Sequence, residues 1–198
     1  MTAAADRNKA RRPVATHLVA AAALAVFMSP AATQWLVYDR DRVLAGQVWR
    51  LLTGHIVHLS ASHLFYNLLV FVVAGIWIER RHRLAYLLLI SLTVVTSSLY
   101  FLIVMRQMAR YGGLSGVVSA TIVYVSLQEI GKGGIPRVIW MTVLALFLAK
   151  SGYEILYGQA VFASSNSIPI AVVPAVHVIG AIAAILPFST RASRRLSR

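Results

Sequence analysis

The sequence predicts an all-α polytopic membrane protein built as a six-helix transmembrane bundle. Three observations carry that expectation. Of the 198 residues, 59% are hydrophobic and 13% charged, against about 45–50% and about 25% in soluble domains, and mean hydropathy is +0.72. The apolar residues gather into six stretches, 17–37, 61–78, 84–105, 113–130, 138–157 and 171–188, near the ~20 residues that a helix needs to cross the hydrocarbon core. The basic residues gather between those stretches on alternate sides.

Along the chain, residues 1–16 form a basic N-terminal segment with Arg7, Lys9, Arg11 and Arg12, and residues 17–188 form the membrane domain. The first stretch reads either as a retained helix or as a cleavable signal peptide, because basic residues, an apolar run over 18–28 and the small residues Ser29-Pro30-Ala31 fit both. The orientation of the later helices is the same either way. Residues 38–60 are too long for a simple turn and carry Trp49, Arg50, His55 and His58; such amphipathic side chains suit the headgroup region. Residues 79–83 and 106–112 are short connections, and 131–137, with Gly131, Gly133, Gly134 and Pro136, is the strongest break. Residues 158–170 are polar and uncharged, as suits a mobile loop and lid over the outer face. Residues 189–198 form a basic tail. Six spans leave no room in this sequence for a separate soluble domain.

The net charge of +13 follows from topology. With the N-terminus inside, the inner segments hold thirteen of the nineteen Lys and Arg residues, including Arg80, Arg81, Arg83, Lys132 and Arg137, and the outer segments hold five. Inner flanks collect such residues, so both termini are expected in the cytoplasm of a multi-pass inner-membrane protein. Basic residues split among short flanks without interleaved aromatics do not make a nucleic-acid site. Cysteine is absent, which excludes disulfides and thiolate metal sites.

Few residues within the apolar stretches carry chemistry, and an intramembrane ionisable group is a functional candidate by default. Ser115 stands in Gly113-Leu114-Ser115-Gly116 at the outer end of the fourth stretch, and His177 lies about 9 Å into the sixth at ~1.5 Å per residue. A serine becomes a nucleophile when a base takes its proton. The same glycines also suit a packing face, since Gly112, Gly116 and Ala120 recur every four residues, and a lone histidine can bond helices together. His63 and Asn67, four apart, share one helix face; they suit either an oxyanion site, which needs donors, or interhelical packing.

The run Trp49-Arg50, His58 through His63-Leu64-Phe65-Tyr66-Asn67, Glu79-Arg80-Arg81, Gly113-Leu114-Ser115-Gly116-Val117-Val118 and His177-Val178-Ile179-Gly180 resembles the rhomboid intramembrane serine proteases over about residues 48–188. The resemblance implies a rhomboid-like bundle and a Ser–His dyad without an acidic third member. Ser115 is then the nucleophile, His177 the general base and acid, and the oxyanion site comprises the Ser115 N–H with the His63 and Asn67 side chains. Asp39-Arg40-Asp41, the run Trp49-Arg50-Leu51-Leu52-Thr53-Gly54-His55 and the Lys150, Glu154, Gly158 pattern further resemble the rhombosortase subgroup, which implies cleavage near a Gly-Gly motif preceding a C-terminal membrane helix and basic tail. Three positions depart from the family pattern: Ser119 replaces an aromatic that packs on the imidazole, Val176 a small residue and Ala184 a packing glycine.

The expected activity is serine endopeptidase cleavage of membrane-anchored proteins near the outer face, in a helix-destabilised region, without cofactor or metal. His55, His58 and His63 are close enough in sequence to raise metal binding, but no carboxylate lies among them. Lys150 and Glu154 form an i, i+4 pair that either neutralises itself or, with Gly113, contacts a substrate entering between the second and fifth spans. Arg50 either ties down its loop or meets lipid or substrate. The alternatives of another class are a catalytically silent rhomboid-like binder of membrane helices, which usually lacks one reacting residue, and a small transporter, which is expected to carry more intramembrane charge.

Overall fold

The computed structural model describes residues 12–158, 161 and 173–196, with side chains described as far as 188. The chain begins with α1 (Val14–Met28), and Ser29 then turns it into α2 (Pro30–Leu36), bent by 114° from α1. The stretch expected as one span over 17–37 is thus a bent pair of helices rather than one straight helix. Pro30 has no N–H to continue α1, while its fixed φ suits the first position of a new helix, which Ser29 caps by accepting from the Ala32 amide at 3.3 Å.

Residues 38–60 are more structured than a headgroup loop. They contain β1 (Tyr38–Asp39), α3 (Arg40–Leu44), α4 (Arg50–Thr53) and a 3₁₀ turn, Gly54–Ile56. β1 pairs antiparallel with β2 (Arg110–Tyr111), a small correction to the all-α expectation. Arg50, 1% exposed, donates to the Gln34 and Val37 carbonyls at 2.9 and 2.8 Å and to Gln47 Oε1 at 2.7 Å. It therefore fastens this segment to α2. Trp49 stacks on Trp35 with centroids 5.2 Å apart, and both rings are exposed, as suits a membrane interface.

The second and third predicted stretches form α5 (Ala61–Ile103), interrupted at His82, whose φ and ψ of −146° and 50° are non-helical. The chain folds back there: the Phe71 and Tyr86 rings lie 6.4 Å apart, whereas fifteen residues of straight helix would separate them by about 22 Å. Glu79, fully buried, ties α1 to this hairpin. Its carboxylate accepts from the Ala15 and Thr16 amides at 2.9 and 2.8 Å and from Thr16 Oγ1 at 2.8 Å, satisfying N–H groups that the first turn of a helix leaves without partners.

The chain continues through α6 (Ser115–Ile130), α7 (Gly134–Tyr157) and α8 (Pro174–Leu196). α6 is the central helix, most of its residues buried, and it packs against α5, α7 and α8. The core joins Phe71, Ile78, Tyr86 and Leu89 of α5 to Val117, Ala120 and Tyr124 of α6 and Ala184 of α8. α7 buries only Ser151 and Glu154 and turns an apolar surface outward. α8 continues past the expected boundary at 188, through Pro187. By length and apolarity, α5 and α7 can cross a membrane and the α1–α2 pair makes a third candidate; α6 and the apolar part of α8 are shorter.

Candidate active site

Ser115 is the first residue of α6, and the turn before it is built by contacts with the 38–60 segment. Besides the β1–β2 pair, the Gly113 amide donates to the Gly54 carbonyl at 3.2 Å and the Tyr111 hydroxyl to the Gly113 carbonyl at 2.8 Å. Gly113 has φ +150°, and a Cβ there would sit 2.6 Å from His63 Cε1. Only glycine lets this turn pass so close over the imidazole. The Ser115 N–H belongs to the first helical turn, whose amides lack intrahelical acceptors.

His177 lies in the first turn of α8, beside α6. A Cβ on Gly180, one turn further, would fall 2.1 Å from the Gly116 carbonyl oxygen, and one on Gly116 would lie 3.3 Å from the Val176 carbonyl. The two backbones therefore touch, with Val176 and Ala184 accommodated as buried side chains.

Ser115, His177, His63, Asn67, Lys150 and Glu154 all line one cavity of about 1550 Å³ between the first arm of α5, α6, α7 and α8. Gly112 lines it too; Gly113, expected as a substrate contact, is not part of the lining and instead shapes the turn. His63 Nδ1 and Asn67 Nδ2 are buried without hydrogen-bond partners. Such a donor costs about 1–3 kcal/mol, an arrangement that suits groups reserved for a ligand. The lining also includes the apolar Val143, Leu146 and Phe147 of α7.

Lys150 Nζ is 2.7 Å from Glu154 Oε2, so the expected i, i+4 pair forms. The same oxygen also lies 3.0 Å from His177 Nδ1. The resemblance implies a dyad without an acidic third member, and here a carboxylate stands beside the imidazole. The approach is close but oblique, since neither atom has a well-aligned hydrogen bond. Glu154 Oε1 accepts from the Val161 amide at 3.2 Å. Ser119 also lines the cavity, and its Oγ donates to the Ser115 carbonyl at 2.7 Å. Residues 158–170, expected to form a lid, lie outside the described residues except for 158 and 161.

The remaining histidines occupy separate environments. His55 Nε2 is 3.1 Å from Ser98 Oγ, with the ring stacked on Phe101 and against the edge of Tyr111; burial pushes its pKa down to about 4. His58 Nδ1 donates to the Ile56 carbonyl at 3.2 Å and its ring abuts His63. Burial, then the proximity of His63, lowers its pKa to about 3.

Residues 45–193 match the Rhomboid domain family. The chain belongs to the rhomboid family. Rhomboids are generally intramembrane serine proteases that act on membrane-protein substrates. One neighbour of the site in this rhomboid escaped the sequence, and so did the place of another. Tyr111, whose phenol burial pushes up to about 12, has Ser115 within hydrogen-bonding reach; a lone tyrosine in a short connection gives no signal. Glu154 was visible as a partner of Lys150, but its reach to His177 depends on how α7 packs against α8.

Proposed function

We propose that this rhomboid is an active intramembrane serine endopeptidase, with Ser115 as nucleophile and His177 as general base and then acid. The observation that carries the reading is the convergence of both residues on one cavity with the unpartnered donors of His63 and Asn67. In the reaction, Ser115 Oγ bonds to the scissile carbonyl carbon as its proton passes to His177. Negative charge then develops on the carbonyl oxygen, where the Ser115 N–H, His63 and Asn67 donate. The proton moves to the departing amine as the C–N bond breaks, and water repeats the sequence on the acyl-enzyme.

In this reading residues 17–188 form a six-pass membrane domain between cytoplasmic basic segments, 1–16 and 189–198, of an inner-membrane protein, and the site faces the periplasmic side. The charge distribution supports that orientation; Ser115, His63, Glu154 and His177 lie close to ends of their helices and line one cavity, which places the site towards one end of the bundle. A peptide bond in an intact helix has its carbonyl already hydrogen-bonded, so the substrate is a membrane-anchored protein with a helix-destabilised segment. The rhombosortase-like motifs favour Gly-Gly before an apolar helix and basic tail.

A fluorophosphonate should label the detergent-solubilised protein and fail to label Ser115→Ala, with His177→Ala labelled far more slowly. An unlabelled wild type, beside a rhomboid that reacts under the same conditions, would leave a silent binder of membrane helices. For the narrower specificity, a reporter with Gly-Gly, an apolar helix and a basic tail should be cut near the glycines; cleavage only of reporters lacking that pattern removes it.

A further inference from the structure

The resemblance to rhomboids implies an imidazole without an acidic partner, yet a carboxylate faces this one. We propose that Glu154 is a positioning residue of the catalytic site, holding the Nδ1–H of His177 so that Nε2 is free to take the Ser115 proton. The proposal rests on the protease reading above.

The geometry supplies each part. Glu154 Oε2 is 3.0 Å from His177 Nδ1, and both side chains are buried, 3% and 7% exposed. A neutral imidazole has one donor and one acceptor nitrogen, and the group facing one nitrogen decides the state of the other. A carboxylate at Nδ1 selects the Nδ1–H tautomer, which is the one in which Nε2 is a base. The oblique angle fits a site without substrate, since catalytic hydrogen bonds are often poorly aligned until the reacting complex forms.

The surroundings keep Glu154 an anion. Lys150 Nζ lies 2.7 Å from the same oxygen, and the Val161 amide donates to the other. Among the described residues, the titratable groups lining the cavity with His177 are Lys150, Tyr153 and Glu154 from α7, His63 and Tyr66 from α5, and His58, Arg110 and Tyr111 from the segments that precede α5 and α6; α6 contributes Ser115, and α8 itself has no other titratable residue through 188. Lys150 and Glu154 together carry no net charge, so the imidazole sits beside a balanced pair. When the Ser115 Oγ–H proton moves to Nε2 and Oγ bonds to the carbonyl carbon, the imidazolium has the carboxylate against its Nδ1–H. The Nε2 proton then leaves with the amine, and Glu154 stays ionised throughout. In the second half Nε2 takes a proton from water as its oxygen bonds to the acyl carbon, and returns it to Ser115 Oγ as the ester breaks.

A neutralised ion pair with no part in catalysis predicts different behaviour. Cleavage of a membrane-anchored reporter by the full chain in detergent should be followed from pH 5 to 9 for wild type, Glu154→Gln, Glu154→Asp and Lys150→Gln. Glu154→Gln should lose about 100-fold or more in kcat with KM within about threefold, and the acid limb of kcat/KM should move to lower pH because the imidazolium loses its anion. Lys150→Gln should move that limb to higher pH, and Glu154→Asp should recover part of the rate. A folded Glu154→Gln with the kcat and pH profile of wild type overturns the proposal. Nitrogen NMR of histidine-labelled wild type, with His177 assigned by difference from His177→Gln, gives a test that does not depend on the folding of the Glu154 variants: Nδ1–H supports the proposal and Nε2–H overturns it. A wild type that neither cleaves nor labels removes the protease reading itself, a failure separate from that of Glu154.

Discussion

Gly180→Ala tests whether backbone contact between α6 and α8 sets the catalytic geometry. A methyl carbon there would stand 2.1 Å from the Gly116 carbonyl oxygen and 3.1 Å from the Ala120 amide nitrogen. A relaxed carbon–oxygen contact is about 3.3 Å or longer, so α8 must retreat by about 1.2 Å at this level. Both obstacles are backbone atoms of a buried helix, so no side-chain rotation relieves the clash. His177 lies one turn away on α8, and a misplacement of about 1 Å can cost a reaction about 100-fold. Overpacking of this kind typically destabilises by about 1–3 kcal/mol. The expected outcome is a protein that labels with fluorophosphonate about 100-fold more slowly than wild type and unfolds at lower SDS. Gly152→Ala on α7 is the matched control: an added Cβ meets nothing within 4 Å, and helix propensity gains up to about 1 kcal/mol. A Gly180→Ala protein that labels at the wild-type rate would refute the inference that close helix contact positions His177.

Other sites give further tests. Gly113→Ala combines an unfavourable φ of +150° with a Cβ 2.6 Å from His63; cleavage should fall with kcat rather than KM, measured on the same reporter. Glu79→Ala strips acceptors from two amides and a hydroxyl at the start of α1, at about 1–3 kcal/mol each where they stay dry, and SDS titration followed by tryptophan fluorescence should show a loss of at least about 3 kcal/mol, with Glu79→Gln losing less. Burial holds His55 neutral, its pKa about 4 in the fold against about 6.5 unfolded, so as pH falls the unfolded chain takes up the proton first. The His55 contribution should be level above pH ~6.5, decline by on the order of 3 kcal/mol towards pH ~4 and then level, while His58, lowered to about 3, adds a decline of its own that continues further down. His55→Gln should flatten that part of the acid response in the same SDS titration.

The helices were legible because apolar runs and clusters such as Arg80, Arg81 and Arg83 mark where the chain must turn in a membrane environment. The bend at Pro30 was less so, since Ser29-Pro30-Ala31 reads equally as a processing signal. Two-residue strands have no periodicity, so pairing of Tyr38 with Tyr111 could not be read from either segment. The candidate site divides similarly. Ser115, His177, His63 and Asn67 were identifiable because local spacing and family motifs name them one by one. What remained hidden was tertiary: Gly180 matters through a carbonyl on another helix, and Glu154 meets His177 across the α7–α8 boundary.

The departure at position 119 and the acid at position 154 bear on one requirement, that the imidazole be held with the correct nitrogen towards the serine. An aromatic ring packed on imidazole fixes its plane but leaves both tautomers available. Ser119 supplies no such surface, and its hydroxyl is committed to the Ser115 carbonyl. A carboxylate at Nδ1 fixes orientation and tautomer together, but an unpaired anion within a membrane protein is expensive. Lys150, on the same face of α7 and one turn earlier, offsets that cost. The proposed role for Glu154 therefore accounts for the lysine as well: the cation makes a permanent anion tolerable beside the imidazole. Because the carboxylate and imidazole are buried, salt should screen their interaction weakly. It should screen the contact between Arg110, 69% exposed, and Asp39 more strongly, so dependence of the pH profile on Lys150 and Glu154 should persist at an ionic strength where surface pairs no longer contribute.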